Sequence, residues 1–247
     1  MYIGNPFLQF PSAGGGADST ESLYFDGVDE SGNAGSISMM QNVGVFTFMC
    51  WVRPDSVTGT DRLYWQYFNG NRNVRIEMVN AKLNVIIRNA ATSPNYGSTL
   101  TDNDVFSTTT WHHLAVVYDG SAGAGSRVII YVDGSSVADT VTGAFPPTTA
   151  SNSVDSYIIH SSNLFEGYLD EVALFDYAMT SGEVTTAYNS AVTNDYTSLV
   201  SGAPEHYWRF ETGDGDDQTT VNDQGDTGTA DITLTNMEIG DYSSEVP

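Results

Sequence analysis

Basic residues are scarce in this chain. Eight Lys and Arg stand against thirty-one Asp and Glu, a formal charge of −23 over 247 residues. Binding nucleic acid through its phosphates needs Lys and Arg, so the balance argues for no nucleic acid partner, and it is equally unsuited to an anionic membrane surface. It suits a protein that stays soluble in salt, divalent cations, or a basic partner surface. Cysteine is nearly absent. Cys50 lies in the apolar run FTFMCWV, with no partner for an internal disulfide and no companions for a thiolate metal site. It reads as a small buried hydrophobe. No apolar run approaches the ~20 residues of a membrane helix, which excludes membrane insertion by that route. The opening MYIGNPFLQFPSAGGG lacks the basic start and unbroken apolar stretch of a secretory leader. Either a leader has been removed or export takes another route. Strong helical periodicity is missing as well.

What remains is a succession of short apolar runs broken by Gly, Ser, Thr, Asn and Asp, the pattern of an all-β sandwich. SLYFDG (22–27) reads as a strand entering an Asp-Gly turn. VFTFMCWVRP (45–54) is a strand stopped by Pro54; Phe46, Phe48, Cys50 and Val52 share one face, Met49 and Trp51 the other. Both faces are apolar, so this strand is covered on both sides. RLYWQYF and VRIEMVNAKLNVIIR read as meander strands, with Asn80-Ala81 as a tight connection. WHHLAVVYDG pairs with SRVIIYVDGSSVADTV, which turns back on itself at Asp133-Gly134. DSYIIHS and the opening stretch add strands. Thr180 and Glu183 have capping-box spacing, flanked by Met179 and Val184 as a hydrophobic staple, which predicts a helix over 181–190. EHYWRF and the residues after it read as a strand, an acidic Gly-rich loop and a β-rich tail.

SLYFDG, FTFMCWVRP, WHHLAVVYDG…VIIYVDG and FEGYLDEVALFDYAMTSGEV, in that order, resemble the laminin G-like, concanavalin A-like jelly-roll domains over roughly residues 22 to 190. The resemblance implies a two-sheet antiparallel jelly-roll sandwich with one concave sheet. The expected organisation is an N-terminal arm and Gly-rich hinge (1–21), the jelly roll (22–192), and a linker with an acidic C-terminal extension (193–247) that packs on or completes the sandwich. The segment from YNS (188) to the C-terminus looks like the tails that follow such domains in structural proteins of tailed bacteriophages.

The adjacent acids Asp170 and Glu171, in the apolar middle of a strand, are the first candidate site. Retaining glucanases of this fold place two carboxylates on alternate positions of one strand, about 5–5.5 Å apart. Their E-x-D-x-E pattern is absent here, and neighbours on a strand point to opposite faces, so no glycosidase pair is expected. His112 and His113 match a Trp-His position that is part of the framework in the resembled family, and read as structural. Strand alternation puts Tyr168, Asp170, Val172 and Leu174 on one face, where a carboxylate needs compensation. The family resemblance implies calcium there, held by Asp26, the Gly27 carbonyl and Asp170; the alternative is that Asp170 takes backbone amides at the strand edge. The run 214–226 fails the EF-hand template, with Thr219 at its sixth position and Gly225 at its twelfth, and reads as a solvated acidic loop.

Sugar rings stack on exposed aromatics, which makes Trp65 in RLYWQYF and Tyr96 in SPNYGS the ligand-binding candidates. Tyr2, Ile3, Phe7, Leu8 and Phe10, ahead of the hinge AGGGADS, form an assembly candidate: either the arm docks on a neighbour or it folds back as an edge strand. Two functions follow as expectations. One is a non-enzymatic structural or adhesive protein of a virus particle, acting through virion proteins or self-association, with glycan or host-surface binding as a further capacity. The other is an extracellular carbohydrate-binding, lectin-like module.

Overall fold

The structure is a computed structural model that describes residues 19–69, 72–151, 153–189, 195–199 and 202–247. The arm residues Tyr2, Ile3, Phe7, Leu8 and Phe10 lie outside these. The short apolar runs fold as strands β1 (Ser22–Asp26), β2 (Ser31–Asn33), β3 (Val45–Pro54), β4 (Thr60–Asn69), β5 (Arg72–Val79), β6 (Lys82–Asn89), β7 (Tyr96–Thr101), β8 (His112–Asp119), β9 (Val128–Val132), β10 (Ser135–Ser136), β11 (Asp139–Ala144), β12 (Ser156–Ile158) and β13 (Glu166–Phe175). Helix α1 (Ser181–Tyr188) follows, then β14 (His206–Trp208), β15 (Thr220–Val221), β16 (Ile232–Thr235) and β17 (Tyr242–Ser243).

Two antiparallel sheets result. Sheet A has the order β10-β9-β8-β3-β13-β1-β17, with β14 also paired to β13. Sheet B has the order β11-β7-β6-β5-β4-β12-β2-β16-β15. The turns follow from their residues. Asp133 (φ 49°) and Gly134 (φ 74°) form the two-residue hairpin between β9 and β10, and Asn80 (φ 54°) takes the left-handed position between β5 and β6.

The two apolar faces of β3 are both buried. Phe46, Phe48, Cys50 and Val52 enter the core between the sheets, with Leu114, Val116, Leu169 and Leu174 from sheet A and Ile76, Val85 and Ile87 from sheet B. Met49 points away, into a second layer with Ala115, Ala173, Phe175 and the helix residues Val184 and Ala187. Trp51 lies on that side too, 5.7 Å from the Tyr188 ring. The helix forms where its cap predicts. Thr180 Oγ1 accepts the Glu183 amide at 3.3 Å, and the Glu183 carboxylate accepts the Thr180 amide at 2.6 Å. Asn189 ends it in a left-handed turn (φ 47°).

The C-terminal residues enter both sheets: β14 and β17 join sheet A, β15 and β16 sheet B. Trp208 is fully buried in the main core, and its indole N–H donates to the Ala230 carbonyl at 2.8 Å.

Strand β13 departs from simple alternation. On one edge it pairs with β3 along its length, with a register shift between Asp170 and Ala173. Its other edge is shared: β1 pairs with Glu166–Leu169 and β14 with Val172–Leu174. At the junction Glu171 is left-handed (φ 50°), the signature of a bulge. The extra residue corrects the expected face. Leu169, Val172 and Leu174 face the main core, while Ala173 and Phe175 face the outer layer and Asp170 stays out of the main core.

Truncating Trp208→Ala removes a buried aromatic and orphans the Ala230 carbonyl, so it is expected to cost about 3–5 kcal/mol. Urea denaturation should show a lower midpoint with one transition and an unchanged slope. A loss below about 1 kcal/mol would mean that the C-terminal segment is not part of the cooperative unit.

Candidate functional site

The acid pair sits where two strands meet on one edge of β13, and it serves to tie segments together. Asp170 and Glu171 are both buried. Asp170 Oδ2 accepts the Ser19 hydroxyl at 2.8 Å, and Oδ1 accepts the Glu171 amide at 2.9 Å. Glu171 accepts the Tyr207 hydroxyl, and its Oε1 lies 3.6 Å from Arg209 Nε. Glu211 receives the Thr20 amide and the Thr20 hydroxyl, both at 2.6 Å, and Ser19 Oγ at 3.1 Å. The bulge therefore brings both carboxylates into one buried cluster around Arg209, instead of sending them to opposite faces. Burial holds the carboxyls of Asp170 and Glu171 well above the usual carboxylate range.

The two adjacent histidines, expected to be structural, lie in the framework. His112 Nδ1 is 3.1 Å from Asp133 Oδ2. His113 is buried and contacts the Tyr196 hydroxyl through Nε2 at 3.1 Å. The run 214–226 differs from the solvated loop expected of it, because Asp216 and Asp223 are buried. Asp216 accepts the Glu211 and Asn222 amides at 3.0 and 2.8 Å. These carboxylates replace water with backbone N–H groups of the turns around them.

The proposed calcium donors are not brought together. Asp26 pairs opposite Glu166, four positions from Asp170 along β13, which is about 13 Å of strand. Asp26 Oδ1 instead accepts the Val28 amide at 2.7 Å, closing the Asp-Gly turn. Asp26, Gly27 and Asp170 thus do not fit one calcium ion. Among the described residues no three acidic, histidine or cysteine side chains converge as a metal cage.

The outer face of sheet B carries a different arrangement. Trp65 on β4 pairs with Tyr157 on β12 and with Arg75 on β5. Tyr67 stacks on Trp65 (centroids 5.0 Å, 23°), and His160 lies 5.2 Å from the same ring. Tyr157 meets His160 edge to face at 4.7 Å. The Arg62 guanidinium covers Trp65 at 3.7 Å. A cleft of about 500 Å³ opens here, lined by Trp65, Tyr67, Val154, Asp155, Tyr157 and His160. Ile159 shapes it: a left-handed φ of 57°, rare for a β-branched residue, buries both Ile158 and Ile159 and turns His160 over Trp65. Burial and the Arg62 charge lower the His160 pKa, which favours the neutral ring. The Ser162 amide donates to Nδ1 at 3.1 Å, which leaves the ring proton on Nε2 as a donor.

The candidate Trp65 is 9% exposed and supports the cleft from beneath, whereas its neighbour Tyr67 is 41% exposed and offers an open ring. Tyr96 is elsewhere. It sits on β7 under the Arg88 guanidinium (4.2 Å), beside a separate cleft of about 210 Å³ with Ala90 and Asn95. Tyr157, His160 and Asp155 were not anticipated. One signal was available in the sequence: five of the eight basic residues, Arg62, Arg72, Arg75, Lys82 and Arg88, fall on the three adjacent strands β4–β6.

Residues 26–185 match the family described as the concanavalin A-like lectin/glucanases superfamily. A search of curated proteins gave no significant match. Among solved structures, the chain is similar to a Bacteroides ovatus ATCC 8483 protein provisionally described as carbohydrate-binding, with 16% identity and a TM-score of 0.66 over 90% of this chain and 60% of that one. The chain thus spans 60% of the length of that relative. It is also similar to the heptameric SAP-like pentraxin of Limulus polyphemus (15% identity, TM-score 0.49, 69% of this chain and 82% of that one). A third likeness is to the CBM40 of the Ruminococcus gnavus IT-sialidase, solved with α2,3 sialyllactose (12% identity, TM-score 0.46, 71% and 97%). At these identities the likeness is one of fold.

The buried acids set a pH dependence. Burial pushes Glu30 and Asp61 up to about 7 and Asp216 to about 6. A carboxyl raised on folding contributes stability that is present below its unfolded value, near 4, and is lost as pH rises through the folded value. His113 runs the other way: burial lowers it to about 3, so its contribution is present above the unfolded 6.5 and is lost as pH falls toward 3. Over the window from pH 8 down to about 5.5 the carboxyls dominate, and relief of the net negative charge adds to them. Calorimetry should give a higher melting temperature at pH 5.5 than at pH 8; the reverse order would contradict the burial of these acids.

Proposed function

The chain belongs to the concanavalin A-like lectin/glucanases superfamily, and on that premise we propose that it is a non-enzymatic carbohydrate-binding module whose saccharide site is the aromatic cleft of sheet B. The observation that carries this is the open Tyr67 ring stacked on Trp65, with Tyr157 and His160 beside it. Sugar C–H groups pack on the negative faces of such rings, while nearby polar groups take the hydroxyls. Here those groups are the His160 Nε2–H as donor and the Asp155 carboxylate as acceptor. Fold alone does not fix function, so the reading rests on this cleft. Absence of hydrolysis is supported by the lining, which includes one carboxylate, Asp155, where glycoside cleavage generally uses two.

Display of the module on a virus particle is a second reading. It is supported by the sequence of residues 188–247, which resembles the tails of bacteriophage structural proteins. A glycan-binding module of this kind would serve there as an adhesive element.

Tyr67→Ala and Tyr157→Ala are each expected to lower the affinity for the best glycan on an array by about tenfold or more, with unchanged melting temperature. Wild-type chain that binds no glycan, or variants that bind as well as wild type, would remove the basis for this site.

A further inference from the structure

The C-terminal segment, which lies beyond the residues that carry the family match, closes a second cleft against residues 33–38, which lie within them. It holds about 320 Å³ and is lined by His206, Asn33, Ser36, Ser38, Thr229 and Asp231, among others. His206 is 4% exposed and stacks on Trp208 at 5.8 Å and 8°. Its Nδ1 is fixed at 2.6 Å from Asp223 Oδ2. Asp223 is fixed in turn by backbone amides. Its Oδ1 accepts those of Tyr207 (2.9 Å) and Gly225 (3.0 Å), and its Oδ2 accepts those of Thr229 and Ala230 (both 3.1 Å). With Nδ1–H donating to Asp223, the neutral ring presents its Nε2 lone pair as the remaining polar group. Among the described residues no hydrogen bond reaches Nε2, although the residue lines the cleft. An acceptor with this much positioning, open to the cleft and without a partner among the described residues, is suited to a donor from outside the chain.

The cleft also selects the ligand. Its lining includes no Lys or Arg, which disfavours an anion. Nε2 and the Asp231 carboxylate are acceptors, and the Ser and Thr hydroxyls both give and take, which fits a neutral group with several hydroxyls. Asn33 links this cleft to the aromatic one. It lines the His206 cleft, and its Nδ2 donates at 2.9 Å to Asp155, which lines the other. Tyr157 pairs with Asn33, and Asn33 with Thr233, so Tyr157 and Thr233 are about 10 Å apart across the sheet. That is the reach of a short oligosaccharide.

We propose that the His206 cleft is a second subsite, in which His206 Nε2 accepts a hydroxyl of a neutral sugar unit belonging to the oligosaccharide whose other end lies on Tyr67 and Tyr157. The subsite rests on the carbohydrate reading above, and the experiment separates their failures. Neutral mono-, di- and tetrasaccharides chosen from array hits are titrated calorimetrically into wild type, His206→Phe, Ser38→Leu and Tyr157→Ala. His206→Phe keeps a ring on Trp208 and removes the acceptor. Ser38→Leu fills the exposed mouth without touching the His206–Asp223 pair, and it carries the test if the first variant does not fold. Both are expected to weaken tetrasaccharide binding about tenfold and to leave monosaccharide binding at the aromatic cleft unchanged. The wild-type His206 imidazole signals should shift in nitrogen-15 spectra with the tetrasaccharide. Tetrasaccharide affinity that is lost in Tyr157→Ala but equal to wild type in Ser38→Leu, with an unmoved His206 signal, overturns the subsite and spares the aromatic site. No binding of any saccharide overturns both.

Discussion

The constraint on which the rest depends is that sheet A is apolar on both faces. A strand such as β3, with Phe46, Phe48 and Cys50 on one side and Met49 and Trp51 on the other, cannot leave either side in water. One face is satisfied by sheet B. The other needs a cover, and the chain supplies it locally: α1 brings Val184 and Ala187, and the residues after it bring Tyr196 and Tyr207. Once the chain has crossed that face it continues as β14 along β13 and then contributes strands to both sheets. Covering sheet A therefore incorporates the C-terminal segment, and it leaves sheet B as the sheet with an open outer face. The aromatic cleft lies there for that reason.

The same cover explains the buried acids. Where β1 stops and β14 begins on one edge of β13, the ladder is interrupted, and backbone and side-chain donors of Ser19–Glu21 and Tyr207–Glu211 need partners. Asp170, Glu171 and Glu211 provide them, with Arg209 offsetting part of the charge. Hydrogen-bonded carboxylates make firm connectors, yet several of them around one guanidinium resist full ionisation in a buried site. The adjacent acids are thus explained by closure of the sandwich.

Features set by neighbouring residues were legible in the sequence. The two-sided burial of β3 follows from its own alternation, the Asp133-Gly134 hairpin from two residues, and the start of α1 from Thr180 and Glu183. Features set by distant strands were not. The bulge at Glu171 depends on β1 and β14 sharing an edge, so simple alternation put Asp170 on the face of Val172 and Leu174, from which the structure separates it. Asp223 reads as one more acid in a polar run, because its donors are amides that converge only after folding. The cleft combines Trp65 and Tyr67 with Tyr157 and His160 from a remote strand, and the reversal at Ile159 that positions His160 carries no sequence signature. The aromatic run RLYWQYF is legible in the sequence, but which of its rings is open is decided by packing against residues from the remote strand.

The account's central claim is that sheet A is closed on both sides and that sheet B presents the ligand face. Hydrogen–deuterium exchange of the full chain, with and without a saturating oligosaccharide, tests this most directly. The account predicts added protection in β4, β12 and residues 155–160, with β3, β8 and α1 unchanged. Protection that appears instead across α1 and the outer side of sheet A would contradict it.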